Sequence, residues 1–477
     1  MRGRENVRYD HWIGGAALAP GAGRYMPVVD PATRRPNGEV ARGDAVDVDL
    51  AAGAAEQARH IWAASSTDER ASMMNAIGEA IDANAAELIE LERACTGKVE
   101  VQAKSEVAMS AAYFRYYAGA LRSFGGRTID LGSASHTFTA LEPYGVVGVI
   151  TPWNYPLNQS CRAVAPALAA GNAVVVKPSE VTPTSTLALA RIASQSGLAP
   201  GLLNVVAGLG DEVGQALVAH PVIRKVAFTG SVATGRQLAR AAADRLIPLT
   251  LELGGKSPLI VFADADLERA AAAAVKMLAT NAGQVCSATT RLLVAESVHD
   301  ELLALVVAGA QRLQPGKDFG PMITEGQYRK VIDCFQQAQS AGLVPLAGGR
   351  EYQTGAAAQG WYLQPTVYTH VPRTSSLARE EIFGPVLVGL TFSDELSAIS
   401  IANDTDYGLV ASIWSRDLSR ALRVAGQLDA GQVTINGGPL GIETPFGGTK
   451  LSGYGREKGL EALAEYAQSK TISIGLG

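Results

Sequence analysis

GVVGVITPWNYPLNQSCRAVAPALAAGNAVVVKPSE, residues Gly145–Glu180, is the stretch on which the fold turns. A short run of apolar, β-branched residues, GVVGVI (145–150), ends in a Pro-Trp-Asn turn. An alanine-rich helical stretch follows, and then a second apolar run, AVVV (173–176). Strand, helix and strand in that order describe a βαβ unit with parallel strands. The pattern repeats downstream in LLNVV (202–206), KVAF (225–228) and PLTLEL (248–253). A second series contains SPLIVF (257–262), a helix near Leu267–Ala279, RLLVA (291–295), VLVGLTF (386–392), LVASIW (409–414) and GQVTIN (431–436). Strands alternating with helices imply an α/β protein in two successive halves, with a boundary near Gly254–Gly255.

Upstream, the first 125 residues read mainly as helices, over Asp47–Ala64, Thr67–Cys95 and Val101–Phe124. Their apolar residues recur at i, i+3 and i+4, and Thr67 or Asp68 is placed to cap the second. From Arg127 to Leu141 the composition turns to Gly, Thr and Ser with alternating apolar residues, which predicts a protruding hairpin.

The 477 residues suffice for two or three domains at roughly 100–200 residues each. With 47% apolar and 18% charged residues the chain is globular. Its 41 Lys+Arg and 46 Asp+Glu give a net charge of −5 without a block of either sign, so neither nucleic acid nor a membrane surface is expected as a partner. Four cysteines without a CxxC pair argue against a disulfide scaffold and for a reducing compartment. The stretch MRGRENVRYDHWIGG has no apolar core of a signal peptide, and no apolar run approaches the ~20 residues of a membrane span, so a cytoplasmic protein is expected. The scattered histidines show no ligand spacing, and no metal is expected. Glycine is in excess, 51 residues against an average near roughly 7%, from tight turns or from loops shaped around a ligand.

Two segments carry candidate chemistry. In NAGQVCSATTR (Asn281–Arg291), Cys286 sits among small and polar residues that would keep a thiol accessible. It is either a nucleophile or a small buried hydrophobe. In LELGGK (Leu251–Lys256), Glu252 ends an apolar strand; it either faces solvent or is buried with a raised pKa, as a general base for water requires. Two near-motifs fail. GLGDEVG (Gly208–Gly214) has one residue too many for GxGxxG, and GSVATGRQ (Gly230–Gln237) places Arg236 and Gln237 where a phosphate-binding loop needs Lys and Ser/Thr.

PWN (Pro152–Asn154), KPSE (Lys177–Glu180), FTGS (Phe228–Ser231), LELGGK, GQVC, EEIFGP (Glu380–Pro385) and PFGGTKLSGYGRE (Pro445–Glu457), in this order and spacing, resemble the aldehyde dehydrogenase superfamily from about Tyr9 to the C-terminus. The resemblance implies a Rossmann-like cofactor domain (1–125 and 142–254), an α/β catalytic domain (255–452) and a small β oligomerisation arm (126–141 and 453–477). It implies Cys286 as nucleophile, Glu252 as the base for hydrolysis, and Asn154 with the Cys286 backbone N–H as oxyanion donors. Lys177 and Glu180 correspond to the pair that holds the adenosine ribose, and Gly230 and Ser231 to a helix N-terminus for the pyrophosphate. Glu381 corresponds to the nicotinamide-ribose ligand, while Phe383 and Trp153 line the nicotinamide cleft. The Glu180 carboxylate would repel a 2′-phosphate, which favours NAD and leaves NADP as the weaker alternative.

The implied activity is oxidation of a small-molecule aldehyde to the acid by a homodimer or homotetramer. The loop NGGPLGIETP (Asn436–Pro445) offers Leu440 and Ile442 to a medium-sized apolar or aromatic aldehyde. Its Glu443 keeps an amino-aldehyde open, and a semialdehyde stays an alternative. A CoA-acylating relative is disfavoured because such enzymes typically lack a base like Glu252.

Overall fold

The computed structural model describes residues 7–476; the start of the MRGRENVRYDHWIGG stretch and Gly477, the last residue of the expected arm, lie outside the described residues. Two sheets carry the two α/β halves. The first has eight strands, with Val146–Ile150 at its centre, fully buried. On one side of it lie Ala173–Lys177 and then Leu203–Val205, and on the other Ile223–Thr229 and then Leu249–Glu252, all parallel. Successive strands therefore run outward in one direction and then restart in the other. The connections leaving two adjacent strands at such a reversal run to opposite faces of the sheet, which opens a crevice at their C-terminal ends suited to a ligand.

The second sheet is six-stranded and parallel throughout, in the order Thr366–Tyr368, Val386–Phe392, Arg291–Ala295, Pro258–Val261, Val410–Trp414, Gln432–Ile435. Its near-continuous apolar strands are buried on both faces, as parallel sheets must be. One apolar core surrounds the first sheet, and two more cover the faces of the second. A small fourth cluster, Leu409, Val410 and Phe446, sits against Cys286.

The N-terminal region departs from the sequence reading. Short strands precede the helices, and His11–Ile13 extends the first sheet by pairing Trp12 with Val205. Three-residue strands are too short to show an alternating pattern. The expected Thr67–Cys95 helix is two, Thr67–Ala83 and Ala85–Thr96, broken at Asn84, whose Nδ2 donates back to the Ala80 carbonyl. The cap is Ser66 rather than Thr67 or Asp68; it forms a reciprocal capping box with Glu69. The edge strand Thr366–Tyr368, too short for a clear pattern, also has no counterpart in the sequence reading.

The hairpin strands Thr128–Ile129 and Ser135–Pro143 form a separate sheet with the C-terminal strand Ala467–Gly475, which pairs along nine residues. The expected arm beginning at residue 453 needs correction at that boundary. Gly453 and Tyr454 pair with Glu252 and Leu251 on the edge of the eight-stranded sheet, and the helix Glu461–Glu465 packs on Pro156–Ala169. The Leu249–Glu252 edge captures Gly453–Tyr454, and the chain separates from that body only further on. Among the described residues, no helix is long and apolar enough to cross a membrane.

Candidate active site

The loops leaving the two strands at the reversal, Pro152–Asn154 and Gly230–Ser231, line one cleft of about 190 Å³. Trp153, Asn154, Gly230, Ser231, Glu252, Cys286, Glu381 and Phe383 all line it, together with Gln159, Gln327 and Lys330. The cleft thus joins residues from both halves of the chain. Lys177 and Glu180 lie outside its walls, at the end of the neighbouring strand, and pair with each other at 2.8 Å.

Gly230 follows its strand directly, and its N–H donates to the Glu252 carbonyl at 3.0 Å. A Cβ at Gly230 would lie 2.5 Å from the Phe228 ring, so the turn admits only glycine without a shift. Ser231 then caps the 12-residue helix Val232–Ala243, its hydroxyl accepting from Thr234 N–H. The other first-turn N–H groups have no intrahelical partner and can meet an anion.

Glu252 is buried, and among the described residues neither carboxylate oxygen has a hydrogen-bond partner. Burial, then the neighbouring Glu457, raises its carboxyl well above the usual carboxylate range, while Arg162 and Arg456 oppose the shift. Burial likewise pushes the Cys286 thiol up to about 11, against the field of Arg162. At rest, then, the thiol is neutral and the carboxyl is a weak acid. Such a pair can pass a proton near neutral to alkaline pH.

Glu381 accepts from Gly255 N–H at 2.9 Å, and a Cβ on Gly254 would lie 2.4 Å from its other oxygen. Burial raises its carboxyl too. Phe383 adopts a left-handed φ of 58° and meets Trp153 edge-on, ring centroids 5.4 Å apart. Gln327 donates to the Ile382 and Phe383 carbonyls, and Lys330 to that of Glu381, so the helix Glu325–Ser340 fastens this loop.

Several of these residues carried no functional assignment in the sequence. Arg162 lies in the apolar stretch SCRAVAPALAAG, yet it forms a buried ion pair with Glu457 and stacks over Phe446. Glu457 closes a quoted motif, and Gln327 and Lys330 share a helix face at i, i+3, so those signals were present without a role attached. The expected loop contributors also differ. Ile442 packs into the first core, Leu440 is exposed, and the exposed Glu443 folds back towards Gly441. Cys286 instead packs against the cluster of Leu409, Val410 and Phe446. Cys161 and Cys95 are buried, as read, and Cys334 lies on the helix Glu325–Ser340.

The family model described as the aldehyde dehydrogenase family matches residues 18–472. The NADP/NAD-dependent aldehyde dehydrogenase PuuC of Escherichia coli (strain K12) is 42% identical over 480 residues, covering 98% of this chain and 95% of its own. Among solved structures, an NAD-dependent aldehyde dehydrogenase from Sinorhizobium meliloti superposes with a TM-score of 0.97 at 37% identity, over 99% of this chain and 96% of that one. A betaine aldehyde dehydrogenase point mutant from Staphylococcus aureus, solved with NAD+, gives 0.95 at 34% identity over 98% and 96%. With a family model matched over nearly the whole chain and relatives at about 40% identity along its length, this chain belongs to the aldehyde dehydrogenase family, whose members oxidise aldehydes.

Proposed function

We propose that the protein is an NAD-dependent, hydrolytic aldehyde dehydrogenase in which Cys286 is the nucleophile, Glu252 the base and Asn154 an oxyanion donor. The observation that carries this reading is that all three line one cleft while burial holds the Glu252 carboxyl raised. Glu252 takes the Cys286 thiol proton as the sulfur adds to the aldehyde carbon. The resulting oxyanion of the thiohemiacetal is held by the Asn154 amide and the Cys286 backbone N–H. Loss of hydride from that carbon leaves a thioester on Cys286. Glu252, after releasing that proton to solvent, deprotonates a water, which adds to the thioester; the C–S bond breaks, Glu252 returns the proton to the Cys286 sulfur and the acid leaves.

Bound NAD supplies the hydride acceptor. The residues present fit it. Ser231 caps a helix N-terminus suited to a pyrophosphate, and the absent side chains of Gly230 and Gly254 keep the cleft wall thin. Lys177 and Glu180 offer a cation and a carboxylate to a ribose, and Glu180 disfavours a 2′-phosphate, so NADP is the weaker acceptor. The Sinorhizobium meliloti relative named as NAD-dependent supports NAD use, while PuuC is named for both acceptors.

For substrate we propose a medium-sized apolar or aromatic aldehyde, because Cys286 packs against the apolar cluster of Leu409, Val410 and Phe446. Glu443, exposed on its loop, favours an amino-aldehyde as the second reading. The test is NADH absorbance with NAD and an aldehyde panel, with and without CoA. NADH formed without CoA is expected; no NADH from any aldehyde, or a strict need for CoA, overturns the hydrolytic reading. Cys286→Ala should abolish turnover while NAD binding by fluorescence persists.

A further inference from the structure

Three side-chain amides around the cleft form a closed ring. Asn154 Nδ2 donates to the Gln284 carbonyl at 3.0 Å, Gln284 Nε2 to the Asn281 carbonyl at 2.8 Å, and Asn281 Nδ2 to the Asn154 carbonyl at 3.0 Å. All three residues are buried. Asn281 also reaches the Gln284 carbonyl at 3.2 Å. Gln284 is anchored on its far side, Nε2 donating to the Pro321 carbonyl and Oε1 accepting from Ile323 N–H.

The backbone under this ring is strained. Asn281 and Ala282 lie at φ 48° and 54°, and Gly283 at 72°, a left-handed run immediately before Gln284 and the nucleophile loop. L-residues in succession avoid this region, so it persists only where surrounding contacts impose it. Gly283 cannot carry a side chain, since a Cβ would lie 2.1 Å from the Gly384 carbonyl oxygen. Asparagine tolerates the left-handed region better than most residues.

A turn needing only local support would bond to itself. Here two of the ring's bonds leave the turn and end on Asn154, 127 and 130 residues away in sequence. They fix both its backbone carbonyl and its side-chain amide. An amide nitrogen has two N–H groups; Gln284 takes one, and the other is available to a ligand in the cleft.

We propose that Asn281 and Gln284 are positioning residues that hold the Asn154 amide in register with Cys286, so that its second N–H meets the developing oxyanion. The proposal rests on the assignment of Asn154 as oxyanion donor. Misplacing a donor by about 1 Å lowers a rate by about 100-fold, and deleting one by about 100–1,000-fold.

The test is a double-mutant cycle with NAD and the best aldehyde of the panel. Asn281→Gly keeps the left-handed backbone and deletes the amide; Asn281→Asp keeps the shape and removes the donors, and serves if the glycine variant does not fold. Either should lower kcat by about 10–100-fold with KM for aldehyde and NAD nearly unchanged. In an Asn154→Ala background the same change should cost less than about 2-fold, because the group it positions is gone. If Asn154→Ala slows the enzyme and the Asn281 effect is fully additive to it, the positioning role is overturned while the proposed mechanism stands. If Asn154→Ala leaves the rate unchanged, both fall. A rise in KM with kcat unchanged also overturns the proposal.

Discussion

The Glu252 carboxyl ends a strand at 2% exposure, with no hydrogen-bond partner on either oxygen among the described residues. A folded protein gains nothing in stability from such a group, and burial raises its pKa. Between the ordinary carboxylate value and that raised value, the native state holds more protons than the unfolded chain. Stability therefore falls as pH rises through that window. Glu252→Gln should accordingly melt at a higher temperature than the parent at pH 8, with the gap shrinking towards pH 5. Thermal denaturation at pH 5, 7 and 8 checks this, and an equal gap throughout would mean the carboxyl is not held protonated. The same variant should give an NADH burst followed by slow steady turnover; normal steady turnover would assign the water-activating role to another base.

At the scale of elements, a buried arginine ties the strand after the Cys286 loop to its neighbours within the second half. Arg291, beginning the strand after Cys286, donates to the carbonyls of Lys256 (2.7 Å), Ile401 (2.9 Å) and Ala402 (2.6 Å). The last two close the helix Glu395–Asn403, where a cation also complements the helix dipole. Burial lowers its pKa only to about 10, so it stays charged at neutral pH. A lysine cannot reproduce this fork. Arg291→Lys should cost about 2–4 kcal/mol, since buried carbonyls left unpaired cost about 1–3 kcal/mol each. The midpoint of urea unfolding reads this directly; a loss under about 0.5 kcal/mol, the level of an ordinary surface change, would show that water or the lysine satisfies these carbonyls equally.

For the whole molecule, the arm presents a long strand edge. Among the described residues the strand Ala467–Gly475 pairs on one side only, and Ile472 and Ile474, on one face of it, are 36% and 46% exposed. An edge of this length invites a partner, and we propose a homodimer or homotetramer assembled through it. Ile472→Lys combined with Ile474→Lys should shift the mass by light scattering towards the monomer. A parent that is itself monomeric, or a variant of unchanged mass, would place any assembly elsewhere.

The strand series around Gly145–Glu180, the helical N-terminal region and the grouping of Cys286, Glu252 and Asn154 were legible in sequence because local periodicity and motif spacing encode them. So was the end of the Val232–Ala243 helix, whose capping serine stands next to it in the chain. The excess glycine divides likewise: Gly230 and Gly254 permit close approaches in the cleft and Gly283 one to the Gly384 carbonyl, while Gly348 takes a left-handed turn against Pro365. Tertiary structure decided what depends on residues distant in the chain. Arg162 reads as part of an apolar helix until Glu457 pairs with it, and Gln284 reads as a loop residue until Asn154 closes the ring. The raised Glu252 carboxyl belongs to the same class. Hydrogen bonds and desolvation act over a few ångströms in space, and only folding brings such neighbours within that range.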